Sequence, residues 1–275
     1  MSDVMVDPEF ELLTRKISRD RNFGCASYKE KCLRRRIAVR MRARGVHSYG
    51  DYARILDSDA NEYERLLDAL TINVTKLFRN WETYDTIARR VIPELWERTE
   101  GRIGIWSAGC SSGEEAYSLA ILLHRHATIR GELSWLSRTR VIGTDIDRAS
   151  LVAAEQAAYA ESAFADTPAE LRAAYFSPRP PHVVLDEVRR MVRFERRDLL
   201  REPPPDATPD GIHLIACRNV IIYFDRSTQE SLFQRFHDAL VPGGFLVLGK
   251  VETLLGSVRS SFATVESRER IFRRS

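Results

Sequence analysis

The chain has 275 residues, 44% of them hydrophobic and 29% charged, which suits one large domain or two modest ones, each able to bury a core. Forty-two Lys and Arg against 39 Asp and Glu leave a formal charge of only +3. No stretch approaches the roughly 20 apolar residues that span a bilayer. The N-terminus MSDVMVDPEFELL lacks the apolar core of a signal peptide, and four scattered cysteines without a C-x-x-C argue for a reducing, cytoplasmic setting and against disulfide or zinc frameworks. No metal site is expected.

The first seventy or so residues read as helical. Phe10, Leu13 and Ile17 recur at spacings of three and four. So do Leu33, Ile37 and Met41, and Tyr52, Ile55, Leu56, Tyr63, Leu66, Leu67 and Leu70. We therefore expect a small all-α domain over residues 1–75. Inside it lies the one strong charge asymmetry of the chain. Between Lys29 and Arg44 stand eight basic residues and a single acid, Glu30. Such a run fits a solvated helix face, and it also fits a nucleic-acid patch. Tyr28, at its edge, is its only aromatic residue, which disfavours a stacking platform for single strands.

From about Gly104 the pattern changes. Short apolar runs at 103–106, 140–143, 191–194, 212–216 and 245–248 alternate with helix-like segments at 114–124, 149–158 and 228–240. This alternation predicts a parallel sheet covered on both faces, an α/β domain over 76–275. The proline-bearing stretch at about 175–197 reads as a small antiparallel β-insertion. In such sheets ligands sit outside the carboxyl ends of the strands, so the residues just after each run carry the chemistry.

The first run ends in Ser107-Ala108-Gly109-Cys110-Ser111-Ser112-Gly113-Glu114-Glu115. Gly109 and Gly113 allow a tight turn. Two acids at the helix start would repel a pyrophosphate, which seeks open N–H groups. The ligand is better cationic or zwitterionic, and S-adenosylmethionine qualifies. The competing reading is that Glu114 and Glu115 only complement the helix dipole. The second run ends in Gly143-Thr144-Asp145-Ile146-Asp147. Asp145 is placed to accept from two ribose hydroxyls, and Asp147 reads as an N-cap. Asp198, after the third run, could meet an adenine amino group or be a turn acid. The fourth run leads into Cys217-Arg218-Asn219-Val220-Ile221-Ile222-Tyr223-Phe224. It lacks the Asn/Asp-Pro-Pro-Tyr/Phe element of enzymes that methylate base nitrogens. By composition alone, Thr71–Arg79 is a polar interdomain turn.

Taken together and in this order, TINVTKLFR at 71–79, IWSAGCSSGEEAYSLA at 105–120, GTDID at 143–147, RDLL at 197–200, CRNVIIYF at 217–224 and GGFLVLGKVE at 243–252 resemble the CheR family, the chemotaxis-receptor glutamate methyltransferases. The likeness covers nearly the whole chain. It implies a Rossmann-like S-adenosylmethionine-dependent methyltransferase domain with a small β-insertion, preceded by a small all-α domain. It implies methyl transfer to glutamate side chains of a chemoreceptor's cytoplasmic helical bundle, giving methyl esters and S-adenosylhomocysteine. Carried over by position, it sets Asn73, Thr75, Arg79, Gly109, Glu115, Asp145, Asp198, Leu199, Arg218 and Asn219 around the cofactor and Tyr223 near the transferred methyl. Arg79 and Tyr223 are the residues expected to matter for chemistry. The basic helix then gains a third reading, with Arg34, Arg35, Arg36, Arg40 and Arg42 docking on an acidic receptor coiled coil rather than on nucleic acid or in a membrane.

The sequence departs from the family at Val74, often Glu; at Leu77-Phe78, often two Phe; and at Lys250-Val251, often His-Ser. The region between Tyr175 and Phe194 has no glycine, whereas members that tether to a receptor C-terminal pentapeptide resemble one another in a glycine-containing loop there. No need for such a tether is therefore expected. A methyltransferase of this scaffold acting on a small molecule or RNA, and a silent receptor-binding adaptor, are the alternatives.

Overall fold

A computed structural model describes residues 7–21, 23–71 and 75–275. The expected cofactor residue Asn73 lies outside them. The chain packs as two compact units. One gathers the N-terminal helices with the short segment Tyr223–Thr228; the other takes the chain up to Ile222 and again from Gln229 onward.

The helical unit contains α1 (Pro8–Arg21), α2 (Glu30–Ala43), α3 (Tyr49–Ser58) and α4 (Ala60–Leu70). Ser48 caps α3 by accepting from the Asp51 N–H, and Asp59 caps α4 by accepting from the Glu62 N–H. The apolar faces meet in one core of Phe10, Leu13, Ile17, Leu33, Ile37, Met41, Tyr52, Leu56, Tyr63, Leu66 and Leu70, the residues whose spacing marked them. Tyr223–Thr228 is stitched to this unit by backbone. The Lys29 N–H donates to Tyr223 O (2.9 Å) and the Asp225 N–H to Ser27 O (3.0 Å). The Tyr28 and Phe224 rings meet edge to face at 5.0 Å.

In the second unit α5 (Trp81–Thr86) passes through one π turn at Ile87–Val91 into α6 (Ile92–Thr99). There follow β1 (Gly104–Ala108), α7 (Glu114–Arg130), β2 (Arg140–Asp145), α8 (Arg148–Gln156), β3 (Ala158–Tyr159), α9 (Ala169–Tyr175), β4 (His182–Val183), α10 (Asp186–Arg189), β5 (Val192–Arg196), β6 (Ile212–Cys217), α11 (Arg226–Ala239), β7 (Leu240–Leu248), β8 (Phe262–Glu266) and β9 (Ile271–Arg274). Seven strands form one sheet in the order β5-β2-β1-β6-β7-β9-β8. The first five run parallel and β9 runs antiparallel to both its neighbours. Strands β1 and β6 are buried along their whole length, as parallel strands covered on both faces are. The strand order reverses between them, so the ligand crevice of this sheet lies at their carboxyl ends.

The small antiparallel sheet differs from the expected insertion. It pairs β3 with β4, so one of its strands lies upstream of residue 175. Val192–Arg196, inside the expected span, instead pairs with β2 in the main sheet. Alternation in β5 was the signal of a half-buried sheet edge, which β5 is. Among the described residues no helix is long and apolar enough to cross a membrane.

Candidate functional site

Four strand tips build the site. After β1 the chain turns through Gly109 (φ +80°) and Gly113 (φ +90°). At Gly109 a Cβ would meet Val220 Cγ2 at 2.6 Å, so the loops after β1 and β6 touch here and only glycine fits. Ser111, between the glycines, also has positive φ (+49°). Its N–H donates to Asp145 Oδ2 (2.8 Å), while the Asp147 N–H donates to Asp145 Oδ1 (3.0 Å). Asp145 is thus held by backbone at the tip of β2, with burial raising its pKa against those bonds. Asp147 is the N-cap of α8, accepting from the Ala149 N–H at 2.9 Å.

The two acids opening α7 have separate environments. Glu114 is buried, and both its oxygens accept from the Ser112 hydroxyl (3.0 and 2.8 Å). Burial raises its pKa. Thr75 lies with Ser112, Glu114 and Tyr159 along one cleft of about 430 Å³. Glu115 accepts from the Ser107 hydroxyl at 2.8 Å. Desolvation pushes its pKa up to about 7, opposed by the nearby positive charges of Arg218 and Arg79. A carboxyl poised near neutrality marks a functional environment.

Arg79 stands between two residues in the left-handed region, Phe78 (φ +52°) and Asn80 (φ +60°). A bulky residue in that region is strained unless its surroundings enforce it. Here they do. The Phe78 N–H donates to Ser118 Oγ (2.8 Å), the ring is fully buried beside Trp81 and Tyr84, and the Asn80 N–H donates to Asp166 (2.8 Å). Asn80 and Tyr84 then receive Arg218, whose Nη2 donates to Asn80 Oδ1 (3.2 Å) and whose guanidinium lies 5.2 Å from the Tyr84 ring centre. The 71–79 segment therefore leads into the site's own scaffold, and its reading as a plain polar turn falls short of that. Asp198, after β5, accepts from the Leu200 N–H at 2.9 Å, with Leu199 half-buried between them.

Three buried polar atoms beside these tips have no hydrogen-bond partner among the described residues: Ser111 Oγ, Arg218 Nε and Asn219 Oδ1. Buried polar groups are almost always paired, so these three are the atoms that a ligand or a water would pair. The acceptor set beside Ser111 and Arg218 is acidic: Asp145 accepts from the Ser111 N–H, and Glu115 feels the charge of Arg218. That set rejects a pyrophosphate and suits a ligand with an ammonium, a sulfonium and free hydroxyls. S-adenosylmethionine fits these residues.

Tyr223 directly follows this site in the chain, and its packing belongs to the helical unit. The Arg36 guanidinium sits 4.5 Å from its ring centre. Arg36 is 6% exposed, donates to Leu70 O, and has no partner for Nε and Nη2 among the described residues. Its place as an outward docking residue is thereby corrected: it lies three residues after Leu33, on the buried face of α2. Arg40 is also turned inward, gripping the buried Glu62 with two bonds (3.0 and 2.6 Å), and Tyr52 donates to the same carboxylate at 2.8 Å. Arg34 pairs with Glu30 (2.6 Å) and Asp7 (3.0 Å) over the Phe10 ring. The outward stripe of α2 is Lys31, Arg35, Val39 and Arg42, all exposed and spaced by three or four.

The doubly wound sheet and its acidic, partly unpaired crevice define a Rossmann-like methyltransferase that uses S-adenosylmethionine. The family model described as "CheR methyltransferase, SAM binding domain" matches residues 73–271, and "CheR methyltransferase, all-alpha domain" matches residues 8–71. The chain belongs to the CheR methyltransferase family. It is 32% identical over 263 residues to a chemotaxis protein methyltransferase of Listeria innocua, covering 95% of this chain and 96% of the relative. A chemotaxis protein methyltransferase of Klebsiella aerogenes is 32% identical over 90% of this chain and 83% of its own. Chemotaxis protein methyltransferase 1 of Pseudomonas aeruginosa is 31% identical over 90% of each.

Proposed function

We propose that this methyltransferase esterifies glutamate side chains on the cytoplasmic helical bundle of a chemoreceptor, within the cytoplasm, as an adaptation step in chemotaxis signalling. The observation that carries the reading is Arg36, a buried guanidinium stacked on Tyr223 whose Nε and Nη2 have no partner among the described residues. A guanidinium with free, converging donors is built to hold a carboxylate.

The reaction asks little acid–base work of the protein. A glutamate side chain, with an ordinary pKa near 4.3, is already an anionic nucleophile at neutral pH. When bound, S-adenosylmethionine supplies an electrophilic methyl on a sulfonium. Glu115, Asp145, Asp198, Leu199, Arg218 and Asn219, with Thr75, Asn73 and the Gly109 turn, hold the cofactor in this reading. Arg79 fixes either its carboxylate or the substrate's, and Tyr223 borders the reacting atoms. Orientation of this kind is worth roughly 7–11 kcal/mol of barrier. Exclusion of water favours a step in which opposite charges neutralise.

The outward stripe Lys31, Arg35 and Arg42 meets the acidic receptor surface, while Arg34 and Arg40 hold the helix itself. The short β3–β4 sheet, whose strands have two residues each, supports a reading in which no receptor pentapeptide tether is required. Nucleic acid and direct membrane insertion have no part in it.

The test is to incubate the protein with methyl-labelled cofactor and receptor-bearing membranes, then treat with alkali. Release of volatile methanol supports the ester. Alkali-stable label points to another substrate, and absence of label to a silent adaptor. Arg36→Lys, which loses the fork, should raise the KM for receptor about tenfold or more and leave S-adenosylhomocysteine affinity unchanged.

A further inference from the structure

Asn219, like Arg218, sits on a turn that cannot hold itself. It adopts φ +62° two residues past the end of β6, and its N–H and those of Ile221 and Ile222 point the same way. All three are collected by one side chain from a different part of the chain. Glu252, four residues past the end of β7, is 4% exposed. Its Oε2 accepts from the Asn219 N–H (3.0 Å) and the Gly249 N–H (2.6 Å). Its Oε1 accepts from the Ile221 N–H (2.9 Å) and the Ile222 N–H (3.3 Å). A carboxylate has about four acceptor sites, so this one is filled by four backbone donors. Gly249 is part of the same device. A Cβ there would lie 2.7 Å from Glu252 Oε2 and 2.9 Å from Asn219 N, so glycine is needed for the carboxylate to reach the turn. The Gln229 side chain completes the hold by donating to Ile221 O (3.0 Å).

We propose that Glu252 is a positioning residue of the methyltransferase: its carboxylate pins the turn after β6 and thereby aims Arg218 and Asn219 into the cofactor crevice. The proposal rests on the reading of that crevice as the cofactor site. A buried carboxylate serves this task better than an amide because it accepts at every lone pair. In Glu252→Gln the amide nitrogen would turn donor against donor at one end of the turn, with no change in size.

The prediction is split between binding and fold. Glu252→Gln should bind S-adenosylhomocysteine at least about tenfold more weakly by calorimetry and lower kcat by about a hundredfold, the scale of a small misplacement of reacting groups. Gly249→Ala should reproduce the defect, and the double variant should be no worse than either alone. Val188→Ala, a core truncation on α10 away from the crevice, serves as the stability control and should leave both constants unchanged. Where the Glu252 variant fails to fold, hydrogen exchange on the wild-type protein decides. Strong protection of the Asn219, Ile221 and Ile222 amides supports the pin, and exchange at the rate of an open loop overturns it. Wild-type affinity and turnover in Glu252→Gln also overturn it. Arg218→Ala separates the two readings. If it binds S-adenosylhomocysteine normally, the cofactor reading of the crevice fails. If it loses binding while Glu252→Gln retains it, the positioning role alone falls.

Discussion

The helical unit and the α/β unit use charge in opposite ways. The helical unit has the densest run of cations in the chain, yet Arg34, Arg40 and Arg44 are paired with Asp7, Glu30, Glu62 and Asp59. The α/β unit has no such run, and the charges at its strand tips, Glu115, Asp145, Asp198 and Arg218, are scattered along the sequence. There Ser111, Arg218 and Asn219 keep buried atoms unpaired among the described residues, as Arg36 does within the cationic run of the helical unit. Density of charge along a sequence therefore says little about function. What remains unpaired after packing says more.

The sharpest way to break this contrast is Arg218→Ala. It should weaken S-adenosylhomocysteine binding by about 3 kcal/mol, the scale of charged hydrogen bonds lost in a buried site, without altering the urea midpoint by a comparable amount. Its mirror is Glu62→Gln in the helical unit. Breaking a buried ion pair costs about 3 kcal/mol of stability, measured by urea unfolding, while cofactor binding by the folded protein stays intact. The pH dependence has a definite sign. Burial would raise the Glu62 pKa, but Arg40 and the Tyr52 hydroxyl outweigh burial and hold it below the ordinary 4.5. Its stabilisation is then present above that value and lost as pH falls through the lower folded value.

A smaller effect concerns Glu115, whose pKa of about 7 lets it titrate in the working range. Its anionic form is the one that attracts a cationic ligand. Cofactor affinity should rise as pH climbs through 7, and binding at pH 7 should release protons, read from calorimetry in buffers of different ionisation enthalpy. Glu115→Gln should flatten the profile and cost about tenfold at pH 8. The smallest effect belongs to the outer face of α2. Arg35→Glu with Arg42→Glu should slow receptor methylation several-fold at low salt and less at high salt, with S-adenosylhomocysteine affinity unchanged. An equal loss from Arg40→Glu without loss of stability would erase the distinction between outward and inward cations.

Much of this was legible. The three- and four-residue spacing of Phe10, Leu13 and Ile17 marked the helical core, and short apolar runs marked the parallel strands, because burial on both faces leaves no polar alternation to confuse the pattern. The family motifs then ordered the crevice. The inward turn of Arg36 and Arg40 was available too, since they fall three and seven residues after Leu33, but in a run so rich in cations the charge drew more notice than the phase. The C-terminal hairpin β8–β9 was harder to see, being short and mostly polar. Glu252 closed one of the family motifs, but nothing in that motif gave its role. Three of its four partners are backbone N–H groups some thirty residues earlier, and backbone donors leave little trace in the identity of the residues that carry them.

The segment Tyr223–Thr228 has a consequence for how such a protein can be taken apart. The polypeptide passes from one compact unit to the other three times, at residue 72, after Ile222 and after Thr228. No single cut yields both halves whole. A fragment beginning at 73 would carry Phe224 without Tyr28 to cover it and Tyr223 without Arg36 to stack on. The N-terminal helices are therefore not an interchangeable module. Any recombination event, natural or engineered, that fitted this catalytic domain with a different helical unit would also have to supply a new bed for that six-residue splice.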